Sequence, residues 1–223
     1  MRKLSLATIV VLFLTLHCVA QARNELPMYG GIPPTAEEAK ADQKLIDVIV
    51  SKLGSREAGA QDAVRLGFKY LAKADWSTAM KRFNQAWLIN GESAEVFWGF
   101  GAALSYQGKF TESEHYFLKA TALEPNNGRL LTDFGFMYQF WATKGTKDKI
   151  EKSKYLDKSI EMFALASKLE PSYQRTYFDW AVTLFFKQDY KGAWQKIKEA
   201  EQLTGNSIDK KFIRDLTKKM PRP

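Results

Sequence analysis

Cysteine occurs once in the 223 residues, at Cys18, and histidine twice. With so little material there is no disulfide framework, and histidine metal clusters and Ser/His/Asp arrangements have almost nothing to draw on, since only His115 lies outside residues 1–22. No spacing matches a catalytic or phosphate-binding motif, so the chain is not expected to be an enzyme or to hold a cofactor. Long apolar runs are also missing. The longest, Leu4 to Leu16, is too short to favour a permanent membrane span and follows the basic pair Arg2 and Lys3. Ala20-Gln21-Ala22 is the small-x-small pattern a signal peptidase accepts. Residues 1–22 therefore read as an export signal, with the mature chain starting at Arg23 in the periplasm or outside the cell. The competing reading is a lipid-anchored envelope protein acylated at Cys18, against which the bulky His17 counts.

Removal of residues 1–22 takes Arg2 and Lys3 with it and lowers the formal charge from +8 to +6. The positives are spread along the chain rather than gathered in one block. They suit a solvated surface, and nucleic acid is not an expected partner.

What the chain does have is a pattern. In Ala94 to Asn127, Phe97, Phe100, Gly101 and Leu104 share one helical face. Gly108 breaks that helix, and Thr111 with Glu114 has the spacing of a capping box opening a second one. Phe117 and Ala120 lie on its inward side, and Pro125 stops it. A shift of 34 residues maps Gly101 onto Gly67 and Gly135, Phe117 onto Phe83, and Ala120 onto Ala86. After twelve extra residues the second half returns as Phe163, Ala166 and Pro171, and a further copy follows with Trp180, Ala181, Leu184, Tyr190, Ala193 and Ala200.

Helix, turn, helix at period 34 with these residues resembles the tetratricopeptide repeat family, in an exported bacterial form. The resemblance implies an all-α fold, a right-handed α-solenoid of about four helix pairs over residues 60–93, 94–127, 128–173 and 174–206. Residues 23–59 are expected as a Pro/Gly-rich linker and an N-terminal helix opened by Thr35 and Glu38 and closed by Gly54. That helix either caps the first repeat or fills the groove. Residues 207–223 are expected as a capping helix, with Ile208, Phe212, Leu216 and Met220 on its apolar side. The twelve extra residues, around Ala142 to Ser153, read as a solvated, lysine-rich loop. Arg129 and Arg175, each four residues before an aspartate, suggest ion pairs with Asp133 and Asp179.

The family geometry places the first helix of each pair on the concave face. By offset, the residues exposed there are Val64, Phe68 and Leu71, then Trp98, Ala102 and Ser105, then Thr132, Phe136 and Gln139, and finally Phe178, Val182 and Phe185. This apolar set is unlike the Lys, Arg and Asn of family members that clamp a C-terminal carboxylate. The resemblance thus implies non-catalytic binding of a protein or peptide segment, with Phe68, Trp98, Phe136, Gln139, Phe178 and Phe185 as partner-binding residues. The protein would serve as an adaptor or assembly factor and not as an integral membrane protein. The alternative is a self-associating homo-oligomer whose groove is filled by its own chain.

Overall fold

A computed structural model describes residues 23–203 and 208–223. Residues 1–22, expected as an export signal and containing Cys18, and the junction with Gly205 before the last helix lie outside the described residues. Among the described residues ten α-helices and no strands occur. They are α1 (Ala36–Leu53), α2 (Arg56–Leu71), α3 (Trp76–Ile89), α4 (Ala94–Tyr106), α5 (Phe110–Leu123), α6 (Gly128–Phe140), α7 (Lys149–Leu169), α8 (Gln174–Phe186), α9 (Tyr190–Glu201) and α10 (Lys210–Lys219). The fold class is all-α, of the α-solenoid kind. The helices fall into two compact units that divide between Ala103 and Leu104, within α4.

In the first unit, α2 and α3 form the first helix pair. Gly67 on α2 and Gly99 on α4 face the Phe83 ring of α3. A Cβ on either glycine would fall well inside van der Waals contact with that ring, so the close approach requires glycine. Phe83 is fully buried there. Helix α1 is opened by the reciprocal Thr35–Glu38 capping box and closed by Gly54 at φ 89°. It buries Ile46 against Ala60 and Ile89, so it covers the outer end of the first pair.

The segment expected as an irregular linker is instead strapped onto α3. The Asn84 side-chain amide donates to the carbonyls of Asn24 (2.9 Å) and Leu26 (2.8 Å), and Ser77 Oγ donates to Glu25 (2.7 Å). Pro27–Gly31 forms a single turn in which Met28 (φ 51°) and Tyr29 (φ 55°) adopt left-handed backbone angles.

In the second unit, Gly135 of α6 receives the Phe163 ring of α7, which a Cβ would meet at 2.8 Å. Phe117 of α5 stacks on Phe134 of α6 with centroids 5.0 Å apart. Two expectations fail here. No capping box forms at Thr111, because α5 already begins at Phe110, and Glu114 is turned to Tyr138 and Lys158 instead. The twelve extra residues are largely exposed, as expected, but most of them are helical rather than loop. They extend α6 by a π-turn, Trp141–Gly145, and lengthen α7 to 21 residues from an Asp148 N-cap. Flanking the insertion, Trp141 stacks on Tyr155 of that longer α7 at 4.1 Å and on Phe110 of α5 at 5.6 Å.

Helix α10 closes the second unit. Leu216 is fully buried with Ala181, Trp194 and Ile197, whereas Phe212 is half-buried. Leu216→Ala should therefore cost about 2–5 kcal/mol. Phe212→Ala should cost less than the roughly 3–5 kcal/mol of a fully buried phenylalanine. Thermal melts of the two variants check the order, and equal unchanged melts would mean that α10 does not dock.

Candidate functional site

The residues expected on the open face of the first helices divide into two classes. Val64, Leu71, Ala102, Ser105, Thr132 and Gln139 are buried. Phe68, Trp98, Phe136, Phe178, Val182 and Phe185 are half-buried. For Thr132 and Gln139 the burial follows from the seam between α6 and α8.

The seam between α6 and α8 is polar and satisfied. The hydroxyls of Thr132 and Thr176 are 2.7 Å apart. Gln139 donates through Nε2 to the Asp179 carbonyl (2.9 Å) and to Thr183 Oγ1 (2.8 Å). Gln139 was expected to face a partner, but its donor group is engaged inside the protein. A buried amide must find its hydrogen bonds somewhere, and the neighbouring helix supplies them.

Beside this seam Arg175 bridges two aspartates. Its Nη2 is 2.9 Å from Asp133 and its Nε 3.1 Å from Asp179. The expected Arg175–Asp179 pair thus exists, but Arg129 does not pair with Asp133. Arg129 reaches Glu170 instead, at 3.2 Å. The Arg175 guanidinium also lies 5.7 Å from the Phe136 ring centre, and Phe136 neighbours Tyr106 (6.2 Å) and Phe140 (6.1 Å). This surface of the second unit therefore combines aromatic rings with two carboxylates sharing one guanidinium. Burial pushes the Asp179 carboxyl up to about 6; Arg175 opposes that rise and Asp133 adds to it.

The other aromatics have defined neighbours too. In the first unit Phe68 meets Trp98 edge-on at 5.1 Å and Phe83 at 5.3 Å. In the second, Phe178 and Phe185 both receive the Phe212 ring of α10, each at 5.6 Å. The chain's own last helix thus covers the aromatics of the last first-helix. Periodicity could not reveal this, because α10 falls outside the repeat. Of the titratable groups considered for chemistry, His115 is an exposed residue on α5 beside Tyr116. Among the described residues no cluster of His, Cys, Asp or Glu could hold a metal ion, and no helix is long and apolar enough to cross a membrane.

No protein-family model matches the chain. A thermophilic TPR protein of Thermus thermophilus superposes with a TM-score of 0.63 at 18% identity, covering 73% of this chain and 84% of that one. The fold is tetratricopeptide-like. YrrB, a TPR protein with an unusual peptide-binding site, superposes at 0.50 with 18% identity over 78% of this chain and 86% of its own. In sequence the chain is 23% identical over 147 residues to anaphase-promoting complex subunit 3 of Schizosaccharomyces pombe. It spans only a fifth of that protein's length, with 66% of this chain aligned. For the two solved structures the likeness is one of fold.

Asp179 offers a test of the buried part of this surface. Its pKa lies above the ordinary 3.8, so the folded protein holds this proton more tightly than the unfolded chain. That contribution to stability is complete below about pH 4 and is lost as pH rises through about 6. Asp179→Asn removes it, so the variant should gain stability relative to the parent between about pH 4 and about pH 7. Paired melts across that range check this, and parallel curves would mean that Asp179 is not held in a buried, proton-retaining site.

Proposed function

We propose that the chain is a non-catalytic protein-binding module, exported to the bacterial envelope, that takes a partner segment on the outward side of its first helices. It would act there as an adaptor or assembly factor. The observation that carries this reading is the pair of half-buried rings Phe68 and Trp98 on successive first helices of the first unit, with Phe136 likewise half-buried on a first helix of the second. Large apolar groups left partly in water on a rigid scaffold supply anchors at small entropic cost, and such anchors dominate recognition. Arg175, Asp133 and Asp179 beside Phe136 would add a polar rim that fixes register. Export rests on the basic pair, the apolar run and the Ala20–Ala22 pattern at the start of the sequence.

A second reading has one observation in its favour. Helix α10 places Phe212 over Phe178 and Phe185, so the last repeat is served by the chain's own C-terminal helix. In that reading the binding surface is confined to the earlier repeats, or a second copy completes it as a homo-oligomer.

Capture with the mature protein from an envelope extract yields the partner for the test. Trp98→Ala should then weaken the captured complex by about 2 kcal/mol or more. The melting temperature should fall by less than a fully buried aromatic would cause, since Trp98 is half-buried. A severely destabilised variant with no selective loss of binding would overturn the assignment. A lone homo-oligomer in the capture would favour the second reading.

A further inference from the structure

The first unit contains a cavity that the repeat architecture does not explain. It has a volume of about 460 Å³ and lies between the Pro27–Gly31 turn, α1 and α3. Its size is that of a small-molecule or side-chain site. Two aromatic walls face it, Tyr29 from the turn and Trp87 from α3, with ring centres 6.2 Å apart at 58°. Arg23, Glu38 and Asp42 supply its charge.

The charges do not cancel. Arg23 is committed to Glu38 at 3.3 Å and to the Ile32 carbonyl at 3.0 Å. Asp42 makes no hydrogen bond or ion pair among the described residues. Burial and the neighbouring Glu38 raise its pKa, and burial with the Asp42 charge pushes the Tyr29 hydroxyl up to about 12. Among the side chains that line it, the cavity therefore holds one uncompensated carboxylate beside two π-faces. Both features attract the same kind of group, a cation on an apolar stem.

The backbone adds an independent observation. Met28 and Tyr29 hold left-handed angles that side chains rarely adopt, and Gly30 and Gly31 continue them at φ 71°. Three anchors maintain this turn: Asn84 holds Leu26 and Asn24, Glu25 holds Ser77 and Lys81, and Arg23 holds Ile32. The result of that strain is to lay Tyr29 against Trp87 and so form the cavity wall. Strain that is held in place and shapes a cavity is characteristic of a site.

We propose that this cavity binds an organic cation, an ammonium or guanidinium on an apolar or aromatic stem. Tyr29 and Trp87 enclose the stem and Asp42 compensates the charge. The same chemistry is presented by a free amine and by a basic side chain in a peptide. The site lies apart from Phe68 and Trp98 and does not depend on the proposed groove function.

Calorimetric titration of the full chain with phenethylammonium, with phenylacetate of similar size, and with an end-blocked Ala-Arg-Ala peptide tests the proposal. At least one cationic probe should bind, phenylacetate should not, and Asp42→Asn should weaken cation binding at least about tenfold without lowering the melting temperature. Binding of phenethylammonium alone would assign the site to free amines, and binding of the peptide alone to a basic side chain of a protein. Failure of both cations to bind, equal binding of phenylacetate, or an Asp42→Asn variant with parental affinity would each overturn the proposal.

Discussion

One contact sets the geometry on which the rest depends: a phenylalanine ring seated on a helix backbone where a side chain is missing. Phe83 lies against Gly67 and Gly99, and Phe163 lies against Gly135. Glycine in a helix interior costs about 1 kcal/mol relative to alanine. It persists here because the ring it admits is fully buried and fixes how closely the paired helices approach. Phe68, on the turn beside Gly67, rests its own edge on Phe83 at 5.3 Å. The half-buried aromatic of the candidate surface is therefore held by the same ring that sets the packing. Core and surface share one structural cause.

The second unit shows how additions to a repeat are absorbed. The twelve extra residues become a π-turn and a longer α7, and the aromatic stack of Phe110, Trp141 and Tyr155 flanks them. Beside it Lys158 binds Glu114 at 2.7 Å and lies over the Tyr138 ring at 4.7 Å. Burial and the Glu114 carboxylate raise the Tyr138 pKa, so this hydroxyl is a fixed donor. At the C-terminal end α10 supplies both a buried anchor, Leu216, and a cover for Phe178 and Phe185.

Much of this was legible in the sequence, for identifiable reasons. Gly67 and Gly135, two 34-residue periods apart, mark real ring contacts, and Thr35, Glu38 and Gly54 form the caps their spacing implies. Local rules succeed where the interaction is local. The failures concern contacts between elements. Offsets placed Gln139 and Thr132 on the right side of α6, but only the neighbouring α8 shows that they lie inside a seam. Arg129 was assigned to the nearest aspartate in sequence, and the fold brings Glu170 closer. The strap at residues 23–31 reads as Pro/Gly-rich linker because its bonds come from Asn84 and Ser77, more than fifty residues away.

The most direct test of this account is a double-mutant cycle on Gly67 and Phe83. Gly67→Ala places a methyl group against Cε1, Cζ and Cδ1 of the Phe83 ring, and Phe83→Leu removes the first two of these carbons. The account predicts that the double variant is more stable than the sum of the single effects allows. The coupling should be on the order of 1–2 kcal/mol by chemical or thermal unfolding. Additive effects within about 0.5 kcal/mol would contradict it, because the glycine would then not be there to admit the ring.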